Sequence, residues 1–147
     1  MAEWTRKQVE ERLYEAADVM KRLPPVKVQG YYNLWPSIVR EFADLVGQEP
    51  PRLRRPPPAP AAISRMEETL GWLVWLEPDE AKLVWMRAER ARWRAICQRF
   101  GIARATAHRR WEYALSVIVW RLDKRPLPRK WSRRFLRERV RALSDAA

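Results

Sequence analysis

The sequence has one cysteine, Cys97, and one histidine, His108, among its 147 residues. A single cysteine cannot close an internal disulfide, and the two together cannot furnish a zinc site of cysteine and histidine ligands. One histidine without evident partners also leaves no ordinary Ser-His or Cys-His constellation for nucleophilic catalysis. Glycine is scarce: Gly30, Gly47, Gly71 and Gly101 are scattered and form neither a phosphate-cradling loop nor a dinucleotide motif. No run of about 18 apolar residues exists, and Met1-Ala2-Glu3-Trp4 opens no apolar signal core. The expectation is a soluble cytoplasmic protein, not an enzyme, with no cofactor, metal or membrane partner.

Acidic residues are scarce where basic ones are dense. Residues 1 to 84 carry 12 Lys or Arg against 13 Asp or Glu, a net of −1, whereas residues 85 to 141 carry 18 against 4, a net of +14. The total of +12 belongs to the second half, where it concentrates a field that attracts phosphates. Hydrophobic residues make up 47% of the chain and include nine Trp, enough to fill a core despite the charge.

The helical signals are local. Thr5-Arg6-Lys7-Gln8 is a capping box, and Val9, Leu13, Ala16, Ala17 and Met20 follow at helical spacing until Pro24-Pro25, with Glu10, Glu11, Glu15 and Asp18 facing away. Trp35-Pro36-Ser37 leads into Ile38, Val39, Phe42, Leu45 and Val46, a short helix stopped by Gly47, with Tyr31, Tyr32 and Trp35 covering its entry. The stretch 50 to 60 holds too much proline for any helix and reads as a stiff connector; its three arginines make it either a solvated spacer or a basic arm for a minor groove. Ile63, Met66, Leu70, Leu73 and Leu76 predict a helix over 61–76, widened by Trp72 and Trp75 and placed centrally. Pro78 suits the first turn of the next helix, where Asp79 and Glu80 complement the N-terminal dipole better than they suggest a metal cluster.

No segment alternates as a strand would, so the fold class is all-α. The expected organisation is an N-terminal helical module over 1–49, the connector over 50–60, a central helix with a helix-turn-helix over 61–125, and a basic C-terminal helix over 126–147.

The pattern within 92–118 carries the function. A helix from Arg92 to Phe100 presents Trp93, Ile96, Cys97 and Phe100 on one side, with Cys97 expected as an inert core residue. Gly101 breaks it, Ile102 plugs the turn, and a helix from Arg104 turns Ala107, Trp111, Ala114, Leu115 and Ile118 inward. Arg104, Ala105, Thr106, His108, Arg109 and Glu112 are left on its outer surface.

On these residues, Arg94-Ala95-Ile96, Phe100 through Ala107 and Tyr113-Ala114-Leu115, the segment from Leu83 to Leu122 resembles the helix-turn-helix of sigma-factor region 4. It departs at Ala103, where that family carries a capping Ser or Thr, and at Ala107, where it carries Val or Ile. The whole chain also resembles an uncharacterised prophage-borne family, and its architecture is similar to that of ArpU/RinA-type phage late regulators. The resemblance implies double-stranded DNA as partner, with Arg104, Thr106, His108 and Arg109 reading base edges. It implies phosphate contacts from Arg92, Arg94, Arg99 and Arg110.

After Pro126 and Pro128, Trp131, Phe135, Leu136, Val140 and Leu143 form a last amphipathic helix with an arginine-rich polar side. It reads as a second phosphate surface before a partner-docking or membrane-surface helix, adding Arg121, Arg133, Arg134 and Arg137 to the phosphate set. Two roles stay open: a transcription regulator touching RNA polymerase, or a small terminase subunit recruiting a large one. The near-neutral N-terminal half is expected to bind a partner or to form a homodimer.

Overall fold

The computed structural model describes residues 4–24 and 55–145. The predicted helix around 35–47, its aromatic entry and residues 50–54 of the connector lie outside them. Six α-helices and one 3₁₀ turn make up the described regular structure, with no strand among the described residues.

Helix α1 (Arg6–Arg22) begins at the predicted box. The Gln8 N–H donates to Thr5 Oγ1 at 3.3 Å, and the Thr5 N–H donates back to Gln8 Oε1 at 2.9 Å. Residues 55–59 run without helix into α2 (Pro60–Trp72), where proline occupies the first helical position and needs no N–H partner. The predicted 61–76 helix divides here. Leu73–Trp75 tightens into the 3₁₀ turn, and only Leu76 beyond it returns to the core.

Helices α1 and α2 run antiparallel, as the order of their ion pairs shows: Arg12 meets Glu68 at 2.5 Å and Glu15 meets Arg65 at 2.6 Å. The same flank carries Ala16 and Val19 against Ala62 and Met66. This approach corrects one expectation in the α1 stripe. Val19 is fully buried because it lies on the side that α2 covers, while Met20, in line with Val9 and Leu13 but at the far end of the helix, is 46% exposed. Arg55, in the described part of the connector, pairs with Asp18 at 2.5 Å.

Helix α3 (Pro78–Ala88), α4 (Trp93–Phe100), α5 (Arg104–Leu122) and α6 (Arg133–Asp145) complete the order. The deepest helix is α5 rather than the 61–76 segment. Ala107 and every residue from Ala114 to Trp120 are buried, enclosed by Val9, Leu13 and Ala17 of α1, Val84 and Ala88 of α3, and Leu136 and Val140 of α6. Its one buried hydroxyl, Ser116, donates to the Glu112 carbonyl at 2.7 Å, so no polar group is left unmet there.

Three helix ends turn through the left-handed region: Arg90 after α3, Gly101 after α4 and Lys124 after α5. At each, an N–H one residue further on returns to a carbonyl of the last turn: Ala91 to Met86, Ile102 to Cys97 and Arg125 to Trp120, at 3.0, 3.2 and 3.3 Å. A Cβ at Gly101 would meet nothing within 4 Å, so its φ of +63° is the sole demand for glycine. Gly101→Ala should therefore cost about 1 kcal/mol through the backbone alone. Urea denaturation measures this, and an unchanged midpoint would mean that the turn does not hold the left-handed conformation.

Candidate nucleic-acid interface

Helices α4 and α5, joined by Gly101, Ile102 and Ala103, form the tight helix pair that the sequence predicts, with Ile96 and Ala107 both fully buried. No side chain caps either helix: Arg92 stands at the N-cap of α4 and Ala103 at that of α5. Their first-turn N–H groups consequently have no side-chain acceptor, a condition that favours anions at both starts.

Cations divide into two classes by their partners. Arg92, Arg94, Arg99, Arg104 and Arg109 are exposed and have no carboxylate partner among the described residues. Arg109 donates only to Thr106 Oγ1, at 3.4 Å, which joins two of the predicted base readers. Arg94 and Arg104 share the rim of an open groove of about 520 Å³ at the turn, floored by Trp93, Cys97, Gly101 and Ile102. Cys97 is thus half-exposed in that groove and not the core residue expected, because Ile96 takes the inward position on α4.

The remaining predicted cations are placed differently. Arg110 is half-buried. Arg121 is exposed but lies 17 residues along α5 from Arg104, about 25 Å, and so belongs to another end of the molecule. Arg133 reaches Glu80 at 3.6 Å and lies over the Tyr113 ring at 5.2 Å. Arg137 pairs with Glu112 at 3.3 Å, and Arg134 with Glu138 at 2.8 Å. All three α6 arginines of the predicted phosphate set thus have carboxylates at hand. Exposed Arg129, Lys130, Arg139 and Arg141, outside that set, have none among the described residues. The packing of α6 supplies the partners of Arg133 and Arg137, whereas Arg134 finds Glu138 one turn along its own helix, a pair that four-residue spacing already offers.

Three outer-surface assignments on α5 need correction. Glu112 is half-buried under α6 through its pair with Arg137. His108 is also half-buried, its ring stacked on Trp93 with centroids 4.2 Å apart and planes 26° from parallel. Thr106 is half-buried as well, so the free outer surface in the first two turns of α5 is Arg104, Ala105 and Arg109.

Glu80 stands in the first turn of α3 beside Asp79, where the sequence puts it, but solvent does not reach it freely. It is 7% exposed, turned in beneath Arg133, and its Oε1 is buried without a hydrogen bond, so the 3.6 Å approach is ionic attraction alone. Burial pushes its carboxyl above the ordinary 4.5, against the pull of Arg133 and of the Glu77 N–H. Burial and the nearby Glu80 likewise push the Tyr113 hydroxyl up.

A family model matches residues 21–118, from the last turn of α1 well into α5. The chain belongs to the family described as Domain of unknown function (DUF6362). No curated protein and no solved structure matches it. In this DUF6362 chain the matched span contains the whole α4–turn–α5 start, while α6 lies beyond it. No helix among the described residues is long and apolar enough to cross a membrane, and they hold no metal-competent group of His, Cys, Asp and Glu.

The raised Glu80 carboxyl has a signed consequence. Ionising it costs more in the folded chain than in the unfolded one, so the stability it contributes is present below pH 4.5 and is lost as pH rises through its higher folded value. Glu80→Gln should remove this component. The wild-type chain should lose stability relative to Glu80→Gln between pH 4 and 7, measured by urea denaturation; a constant difference across that range would contradict the burial account.

Proposed function

We propose that this chain is a sequence-specific double-stranded DNA-binding protein that uses α4–turn–α5 as a helix-turn-helix of the sigma-region-4 type, in the role of a phage or prophage transcription regulator rather than an enzyme. The observation that carries the reading is the set of exposed arginines on and beside two helices that meet at a left-handed glycine, with Arg94 and Arg104 sharing the groove at the turn and Arg99 facing the α3 side. Arg92, Arg94, Arg99, Arg104 and Arg109 have no carboxylate partner among the described residues, and a polyphosphate is the complementary partner.

The division of labour follows from position. Arg104 and Arg109 lie five residues apart on the exposed start of α5, about 7.5 Å along its axis, a span close to two base steps. In a major groove their planar forks match the O6 and N7 acceptors of guanine, and Thr106, tied to Arg109, adds a hydroxyl. Arg92, Arg94 and Arg99 on α4 meet the flanking phosphates, as the first helix of such a pair does when it crosses the backbone. Exposed Arg129, Lys130, Arg139 and Arg141 add positive charge elsewhere on the second half.

Fluorescence anisotropy against salt tests the electrostatic part. Neutralising about six phosphates gives a slope of log K against log salt of about −5. Absence of binding to any duplex at low salt would remove the proposal. A second measurement separates reading from gripping: Arg109→Ala or Arg104→Ala should cost about 1–3 kcal/mol on a selected duplex and less on random DNA, while Arg94→Ala weakens both alike. Equal losses on both duplexes for all three variants would deny α5 the reading role.

A further inference from the structure

A ladder of rings joins three helices beside the exposed start of α5. The Arg87 guanidinium on α3 lies 5.0 Å from the centre of the Trp93 ring on α4 and donates to the Ala91 carbonyl at 3.2 Å. His108 of α5 stacks on Trp93 at 4.2 Å, so the indole contacts both the imidazole and the guanidinium. Trp111, one turn along, stands edge-on to both, its centroid 5.8 Å from Trp93 and 5.9 Å from His108 at 84° and 79°. These are favoured aromatic geometries, and the stacked guanidinium adds a cation–π contact.

We propose that His108 is a positioning residue, which locks the rotation of α5 against α4 through Trp93 and thereby aims Arg104 and Arg109, and that it does not read a base itself. The inference rests on the DNA-binding reading and changes the assignment of one residue within it. The argument is geometric. A base-reading side chain projects freely from the outer arc, whereas this imidazole has one face on Trp93 and lies beside Trp111. Little else fixes the rotation there, because α4 has eight residues and buries only Ile96, and the first two turns of α5 bury only Ala107. An arginine tip lies about 8 Å from its helix axis, so a 15° rotation moves it by about 2 Å, more than a bidentate contact tolerates.

His108 is the single histidine of the chain, so its Hε1 proton gives one unambiguous NMR signal. In the full-length protein without DNA, the stack requires that signal to be shifted upfield by the indole ring current. His108→Ala should displace the amide resonances of 104–110, and His108→Phe should leave them nearly in place. With the duplex that the wild-type protein selects from a random pool, His108→Phe should keep the ratio of specific to random affinity within about twofold, while His108→Ala lowers it about tenfold across all the base pairs read. An unshifted imidazole signal, or unmoved amides in His108→Ala, overturns the positioning role. Equal losses in Phe and Ala variants, confined to one base pair, overturn it in favour of base reading. Failure of the wild-type chain to bind any duplex overturns the DNA reading instead, and the free-protein spectra still decide the stack.

Discussion

The structure depends on the complete enclosure of the second half of α5. Seven consecutive residues, Ala114 to Trp120, are buried, so this stretch has no solvent side and neighbours must cover it all around. That requirement recruits α1, α3 and α6 into one shell, since each contributes side chains to the same core. It also explains why the amphipathic pattern of α5 is weak while those of α4 and α6 are strong: a helix buried on every side cannot be two-faced. The exposed start and the enclosed remainder of α5 are one continuous rod. Whatever touches the start is held by the whole core.

Charge follows a simple rule of supply. In the first half the carboxylates match the cations, and Arg12, Arg22, Arg55 and Arg65 all have acidic partners. In the second half there are too few carboxylates: Glu138 and Glu112 go to Arg134 and Arg137, and Arg133 reaches back to Glu80 of the first half. The exposed arginines left over among the described residues include those around the α4–α5 turn, Arg121, Arg129, and Arg139 and Arg141 on α6. Their mutual repulsion destabilises the isolated chain slightly.

What the sequence revealed was local in cause. The Thr5–Gln8 box, the helix starts at Pro60 and Pro78 and the stop at Gly101 each depend on one or two residues and their neighbours in the chain, and each lies where its chemistry puts it. Helical spacing likewise located Ala107, Ala114, Leu115 and Ile118 on the inner side of α5. The departures are non-local. Val19 replaces Met20 in the core because α2 arrives from one flank, and Glu80 is buried because Arg133 and Tyr113, from beyond the turn, close over it. His108 leaves the outer surface because Trp93 is within stacking reach across the turn. Periodicity gives each residue an angle on its own helix, but it carries no information about which side a neighbouring helix will approach.

Helix α6 has a practical consequence for anyone dividing this chain. It lies wholly outside the span that the family model matches, and a fragment cut at residue 118 would lose it. Such a cut would also sever α5 between Ile118 and Val119, both buried, and remove the lid formed by Leu136 and Val140. Water would then reach Leu115 and Ser116, and with an apolar wall gone the fragment would tend to associate through the opened core. The unit of folding is therefore longer than the unit of sequence similarity, and its boundary is set by the last residue that touches α5.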